Sequence, residues 1–430
     1  MNRGKRALVV YSWFFSWTKT PTGPVCVSNI MKMLKLMGWD VALLTLSGDA
    51  LHPDFLSENP QRRKYLEDLP EVKLYTAKGW LDSPTEIIRW LIQRKTKRQN
   101  KDFTYEASKK SGNPRGFLYK LRQTIGRQIY PFWQSYVYCY RQMVDAGLRA
   151  IKEYKPSVIV GVHTSFSISV ASRLALLTKT PWVAYMMDIF GKHISDKFMP
   201  WLLNTSNAVI TAHDWDFSNR KVPLYNLYHG YDPTEYPSSS LSPIFTIFGI
   251  VRSYCRKHHL LRFLRVLARI KKEGLTRVYP LKVHLYAPDH FAFLTEWRGR
   301  LGIEEMVDVH QPAPREEILK MEAKSTILLL LQHPFNFAFS WKFWEYMGAG
   351  RPILYMGDSE TTEGRMLEKL GAGFAYEDEE DIYIFLKKAL NDFYTKGDID
   401  WNPDREAIST FAFPNLAKKW DEILEKYRRK

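Results

Sequence analysis

Cysteine is scarce: Cys26, Cys139 and Cys255 are the only three in 430 residues, odd in number and far apart. No CxxC pair occurs, so neither a disulfide framework nor a zinc ribbon is supported, and a reducing, cytoplasmic setting is expected. Long apolar runs are lacking as well. The longest, such as Ile327 to Leu331 and Val158 to Val162, fall far short of the roughly 20 residues that span a bilayer. Arg3, Lys5 and Arg6 before Ala7 to Val10 imitate the start of a secretory signal. Ser and Trp soon interrupt that run and no small-x-small site follows, so a first buried strand is the better reading. HExxH and a GxxxxGKS/T loop are absent, which disfavours a zinc peptidase and a P-loop NTPase.

What is present is an ordinary globular composition, 45% apolar and 25% charged, long enough for two or three domains. Aromatics reach 14%, enough to furnish stacking or interfacial surfaces besides the core. The net charge is +16, and much of it is local. Eleven Lys and Arg lie between Arg94 and Arg127 against Asp102 and Glu106 alone. Over 85–130 an apolar stripe (Ile87, Ile88, Leu91, Ile92) ends in a basic run, and Phe117, Leu118, Leu121, Ile125 and Ile129 repeat the arrangement. Such basic amphipathic stretches lie on anionic membranes or pack with a solvated basic face. Uniform basicity would suggest nucleic acid; a local cluster points to one anionic surface, with no nucleic-acid partner expected.

The rest of the chain alternates between strands and helices. ALVVYS (7–12) reads as a strand, followed by a loop with Pro21, Gly23 and Pro24, a helix from about Val25 to Met37 closed by Gly38, and the strand VALLTL (41–46). This β–loop–α–β unit opens a doubly wound sheet. PEVKLYTA, SVIVGV, WVAYMMD, NAVITAH and Tyr225–Tyr231 supply further strands. The composition turns linker-like at 238–243, where the domain boundary is placed. The pattern then restarts with IFTIF, a loop opened by Gly249, and a helix over 258–271. KVHLYA, VDVH, STILLLLQ and GRPILYMG follow as strands. The expected architecture is α/β: two Rossmann-like, doubly wound domains facing across a cleft, over 1–240 and 241–413. A C-terminal helix (414–430) is available to pack back on the first domain. Parallel sheets of this kind bind ligands at their carboxyl strand ends.

The most informative stretch is Ser340-Trp-Lys342-Phe-Trp-Glu345-Tyr-Met-Gly-Ala-Gly350-Arg-Pro352-Ile-Leu. Ser340 suits a helix N-cap, and a helix N-terminus is an anion site by construction. Lys342 adds charge in the first turn. Glu345 lies three residues on, about 5 Å further along the same face. That spacing suits a diphosphate at the helix tip and a ribose diol on the carboxylate. It equally suits an amphipathic helix with an i, i+3 Lys–Glu pair.

This segment resembles the donor-site motif SxKxxEYxAxGxPIL of bacterial family-four, retaining GT-B glycosyltransferases. Other pieces fall in the family's order: Pro21 and Gly23 at the glycine loop, Pro181-Trp182 to Asp188 at a strand end, HGYDPTEY (229–236), Gly249 through Lys257, and Val309 to Leu330. The resemblance spans nearly the whole chain except 90–130. It implies a GT-B fold and transfer of a sugar from a nucleoside diphosphate sugar, a substrate with no cofactor and no metal. Glu345 would bind ribose, Lys342 and Ser340 would lie near the phosphates, and Arg256 or Lys257 would counter the leaving diphosphate, with Arg252 a substitute. Gly23 and Gly249 would let backbone approach the ligands. The departing nucleotide needs electrostatic stabilisation, so cations matter most there. His163 would touch the donor sugar; it fits a core or loop-capping histidine equally. Asp188 would orient the acceptor or act as base in an inverting reaction; an N-cap or loop salt bridge fits as well. The acceptor is expected to be lipid-linked or a surface polysaccharide, with the protein cytoplasmic and peripheral at the inner face of the membrane.

Two departures stand out. Phe337 occupies the place of a second glutamate, eight positions before Glu345, and His229 replaces an asparagine. Three other readings stay open: a metal-dependent GT-A transferase using Asp214-Trp215-Asp216, a GT-B sugar-nucleotide epimerase, and a non-catalytic basic binding protein.

Overall fold

The computed structural model describes residues 4–12, 22–46, 71–77, 139–187, 199–214, 220–251, 257–287, 290–333, 335 and 338–430. The basic segment over 85–130, Pro21, Asp188, Asp216, Arg252, Arg256 and Phe337 lie outside the described residues. The chain divides into two compact units: Met1–Ala212 with Asp216–Leu227 and Ala417–Lys430, and His213–Trp215 with Tyr228–Leu416.

The first unit is built on one parallel sheet. Its strands are β1 (Arg6–Val10), β2 (Asp40–Leu46), β3 (Lys73–Ala77), β4 (Val158–Val162), β5 (Trp182–Met186), β6 (Ala208–Thr211) and β7 (Leu224–Asn226), in the order β3-β2-β1-β4-β5-β6-β7. The central strands are unbroken apolar runs because both of their faces are covered; Ala7 to Val10 and Val158 to Val160 have no exposed surface. Helix α1 (Thr22–Leu36) connects β1 to β2 and ends at Gly38, whose φ of 76° is the left-handed conformation that glycine adopts without strain. This helix begins three residues before the Val25 start read from sequence. Gly23 is therefore in its first turn and not in a loop. Helices α2 (Tyr140–Tyr154) and α3 (Ser165–Thr178) flank β4.

The second unit repeats the plan. Strands β8 (Phe245–Ile250), β9 (Leu281–Tyr286), β10 (Val307–His310), β11 (Ile327–Leu331), β12 (Ile353–Met356) and β13 (Gly373–Tyr376) form a parallel sheet in the order β10-β9-β8-β11-β12-β13. Alternate side chains feed two cores on opposite faces. Phe245, Ile247, Leu329 and Leu331 pack under α4 (Lys257–Lys272) and a long helix over Glu379–Lys396. Phe248, Leu328, Leu330 and Tyr355 face the other way, toward α5 (Arg315–Lys324), α6 (Trp341–Ala349) and α7 (Thr362–Lys369). Gly249 lies inside β8, not at the start of a loop. A Cβ there would stand 3.2 Å from both Leu285 and Leu329, so the close approach of β9 and β11 leaves little room for a side chain.

Residues 228–240 belong to the second unit, earlier than the 240/241 boundary suggested by composition. Tyr228 stacks on the buried Trp344 at 5.0 Å, and Tyr231 exchanges backbone hydrogen bonds with Phe411 and Phe413. The final helix, α8 (Phe413–Tyr427), contributes Ala417 onward to the first unit. There Trp420 meets Tyr185 edge-on at 5.2 Å, and Asp421 accepts from Lys5 (2.8 Å) and from the Trp39 indole (2.7 Å). Trp420→Ala removes a side chain that is 1% exposed. It should cost the first unit about 3–5 kcal/mol, read as a lower urea midpoint by far-UV circular dichroism.

Candidate functional site

In a doubly wound sheet, the strand order reverses at one point and leaves a crevice beyond the strand ends. In the second unit that point lies between β8 and β11, and the Ser340–Glu345 motif follows β11. In the first unit it lies between β1 and β4, after which come Gly23 and His163 respectively.

Helix α6 starts where Ser340 adopts extended backbone and its hydroxyl accepts from the Phe343 N–H at 3.3 Å. It stops at Gly350, in the left-handed conformation at φ 64°. The Ser340 N–H donates to the Glu363 carboxylate at 2.6 Å. Glu363 is almost wholly buried in the first turn of α7, and burial outweighs that hydrogen bond, pushing its carboxyl up to about 7.

Lys342 and Glu345 share the face of α6 that meets α5. Lys342 pairs with Glu345 and, at 3.1 Å, with Glu322 of α5. Arg315, the first residue of α5, spans two carboxylates. Its Nη1 pairs with Glu345, while Nε and Nη2 donate to Glu235 at 3.2 and 2.5 Å. Glu235 stands on the single turn Pro233–Glu235, and the next residue, Tyr236, donates its hydroxyl to the Glu345 carbonyl at 2.7 Å. The cluster therefore joins three carboxyls and two cations from three segments.

Burial alone would raise the Glu345 carboxyl, but Lys342 and Arg315 overcome it and hold the group down to about 2. Glu322 goes the other way. Its complete burial and the charge of Glu345 outweigh Lys342, and its carboxyl rises to about 7. One carboxylate is thus firmly ionised and its neighbour titrates near neutrality. Chemically, an ionised carboxylate flanked by an ammonium and a guanidinium can accept sugar hydroxyls while the cations receive phosphate oxygens. In this structure the groups pair with one another and are largely closed off, with Glu322 Oε2 buried without a hydrogen-bond partner: the Glu345 side chain is 2% exposed, Lys342 13% and Arg315 31%.

The remaining sequence candidates are dispersed. Ile250, next to Gly249, donates its N–H to the Tyr346 hydroxyl of α6 at 3.1 Å, which brings the end of β8 to this helix. Lys257 opens α4 and lies over the Phe293 ring at 5.0 Å. His163 is buried in the first unit, its backbone N–H donating to the Tyr185 carbonyl at 2.8 Å. His229 packs 4.9 Å from the Trp341 ring. Asp214 accepts from the Tyr228 hydroxyl at 2.6 Å. Among the described residues no group of three or more His, Cys, Asp or Glu is arranged to hold a metal ion.

Arg315, Glu235, Glu322 and Glu363 were not apparent from the sequence. Arg315 does carry a signal: a cation at a helix N-terminus opposes the macrodipole, so it needs a compensating anion nearby. Glu322, seven residues on, falls on the same face of α5.

The fold is that of the GT-B glycosyltransferases. Anabaena HepE, solved in complex with UDP, superposes with a TM-score of 0.63 at 14% identity over 98% of this chain and 100% of its own. A glycosyltransferase from Rickettsia africae gives 0.62 at 13% identity, covering 99% of both chains. A UDP-N-acetylglucosamine 2-epimerase from Listeria monocytogenes gives 0.54 at 11%, over 98% of this chain and 96% of its own. No family model matches the sequence, and no curated protein matches it.

The raised Glu363 carboxyl has a consequence for stability. It binds its proton more tightly folded than unfolded, so its contribution is full below pH 4.5 and is lost as pH rises toward 7. Glu363→Gln keeps an acceptor for Ser340 and removes the titration. The stability difference, wild type minus variant, should fall by up to about 3 kcal/mol between pH 4.5 and 7.5, measured by urea unfolding.

Proposed function

We propose that the chain is a glycosyltransferase that moves a sugar from a nucleoside diphosphate sugar to a hydroxyl acceptor, with the donor held by the second unit. The observation that carries this reading is the Ser340–Lys342–Glu345 array on α6. It stands at the switch point of a parallel sheet, in a fold shared with a protein solved with UDP. The diphosphate would meet the capped start of α6 and Lys342, and the ribose diol would meet Glu345.

Transfer breaks the bond between the anomeric carbon and the diphosphate, so the leaving group departs with increasing negative charge. Lys342 would receive that charge, and Lys257, with Arg252 or Arg256, would add to it. In this proposal no divalent ion is needed. Retention of configuration follows only from the likeness of the motif to the family-four enzymes. A uridine nucleotide is the favoured donor, on the ground that HepE has been solved with UDP and with UDP-glucose. His163 and Asp188 would serve the sugar and the acceptor.

The acceptor would be lipid-linked or a growing surface polysaccharide, and the basic segment around 94–127 would rest on an anionic membrane. No helix among the described residues is long and apolar enough to cross one. The likeness to the Listeria epimerase favours a second reading, and that reading is separable by chemistry: an epimerase turns over donor with no acceptor present.

Thermal shift with UDP-, GDP-, ADP- and dTDP-sugars tests the donor site. One nucleotide class should stabilise the protein, with and without EDTA, and Glu345→Ala should weaken that binding at least about tenfold, a loss of roughly 1.4 kcal/mol. No response to any of the four would defeat the proposal. For the membrane, cosedimentation should rise with the phosphatidylglycerol content of vesicles and fall with salt. Equal binding to neutral vesicles would remove that part.

A further inference from the structure

Glu345 cannot meet a ribose diol while it is closed off as it is here. Its side chain is 2% exposed, and of its two cationic partners Arg315 is the more accessible, at 31% against 13% for Lys342. Arg315 is also the partner with somewhere else to go. Two of its nitrogens already donate to a single oxygen of Glu235, whose side chain is 23% exposed. Lys342, by contrast, is held in place by the fully buried Glu322. One cation is anchored inside and the other is divided between an inner and an outer carboxylate.

We infer that Arg315 is a positioning residue for the donor carboxylate. It shields Glu345 and keeps it ionised in the empty protein, then is retained by Glu235 when the hydroxyls of a nucleoside diphosphate displace it. This deepens the donor-site reading and rests on it. Glu235 is then more than a surface ion-pair partner, because it keeps the guanidinium beside the site once Glu345 turns to the ligand. The fork geometry of the guanidinium suits the exchange, since it can surrender the Nη1 contact and still make the other two. The groups facing Glu345 are Lys342 on its own helix, Arg315 and Glu322 on α5, and Glu235 and Tyr236 on the preceding turn. Two of these oppose its charge from within the cluster, and Arg315 offsets them.

The test is the affinity of uridine diphosphate and of 2′-deoxyuridine diphosphate, measured by calorimetry from pH 5 to pH 8. Their ratio isolates the diol contact from the titration of the phosphate and of histidines. In the wild type Glu345 stays ionised throughout, and protonation of Glu322 near pH 7 only removes a like charge beside it, so the preference for the ribose form should hold constant or rise as pH falls. In Arg315→Met the carboxylate loses one cation, and the preference should shrink at least about threefold as pH falls from 7 to 5. Arg315→Lys should restore most of the constancy, because it restores the charge. Glu235→Gln, at a half-buried position, should weaken uridine diphosphate severalfold at every pH without tilting the ratio. A merely structural Arg315 would lower melting temperature and leave the ratio flat in Arg315→Met, and that flat ratio would overturn the inference while leaving the donor site standing. No uridine diphosphate binding by the wild type would overturn both.

Discussion

Glu345 keeps a negative charge in a place from which water is excluded, and the surrounding half of the molecule is arranged to permit it. Desolvating a carboxylate costs several kcal/mol even after relaxation, so a lone Glu345 would take a proton instead. Lys342 on the same helix answers part of the demand and Arg315 on a neighbouring helix the rest. Each cation then needs an anchor, which brings Glu322 and Glu235 into the cluster. With three carboxyls against two cations, one acid must be free to neutralise itself. Glu322, the most deeply buried, is the one whose carboxyl rises toward neutrality.

This arrangement is possible because the fold presents the pieces in the right order. Helix α6 leaves β11 at the reversal of strand order, and α5 enters the same strand. Two segments consecutive in sequence thus lie side by side on one face of the sheet, with Phe248, Leu328 and Leu330 beneath them. The apolar face fixes the helices, and only then do their polar faces meet at ion-pair distance. A rigid hydrophobic support under a charged cluster is what a preorganised electrostatic site requires.

Much of this architecture is legible in the residues. The buried strands announce themselves as short apolar runs, and the helix expected over 258–271 runs from Lys257 to Lys272. Where the reading thins, the signal is physically weak. β13 is four half-buried residues and α7 precedes it without a clean apolar stripe, so neither stands out from the surrounding turn residues. Gly249 looks like a loop opener because glycine usually is one, yet close packing of β9 and β11 explains it better. The site shows the same division. Ser340, Lys342 and Glu345 lie within one helical turn and a half, so local spacing exposes them. Arg315 is 30 residues from Glu345 and 80 from Glu235, and no local pattern encodes meetings at that range.

The path of the last helix has a consequence for how the protein is made. Residues 417–430 complete the first unit, yet they follow the whole second unit in sequence. On a ribosome the second unit can close its sheet once Leu416 has emerged, while the first still waits for Trp420 and Asp421. The order of maturation is then the reverse of the order of synthesis. During that interval the pocket meant for the Trp420 indole, beside Tyr185, stands open as an apolar surface. The first half of the chain therefore keeps this apolar surface uncovered until residues 417–430 arrive to close it.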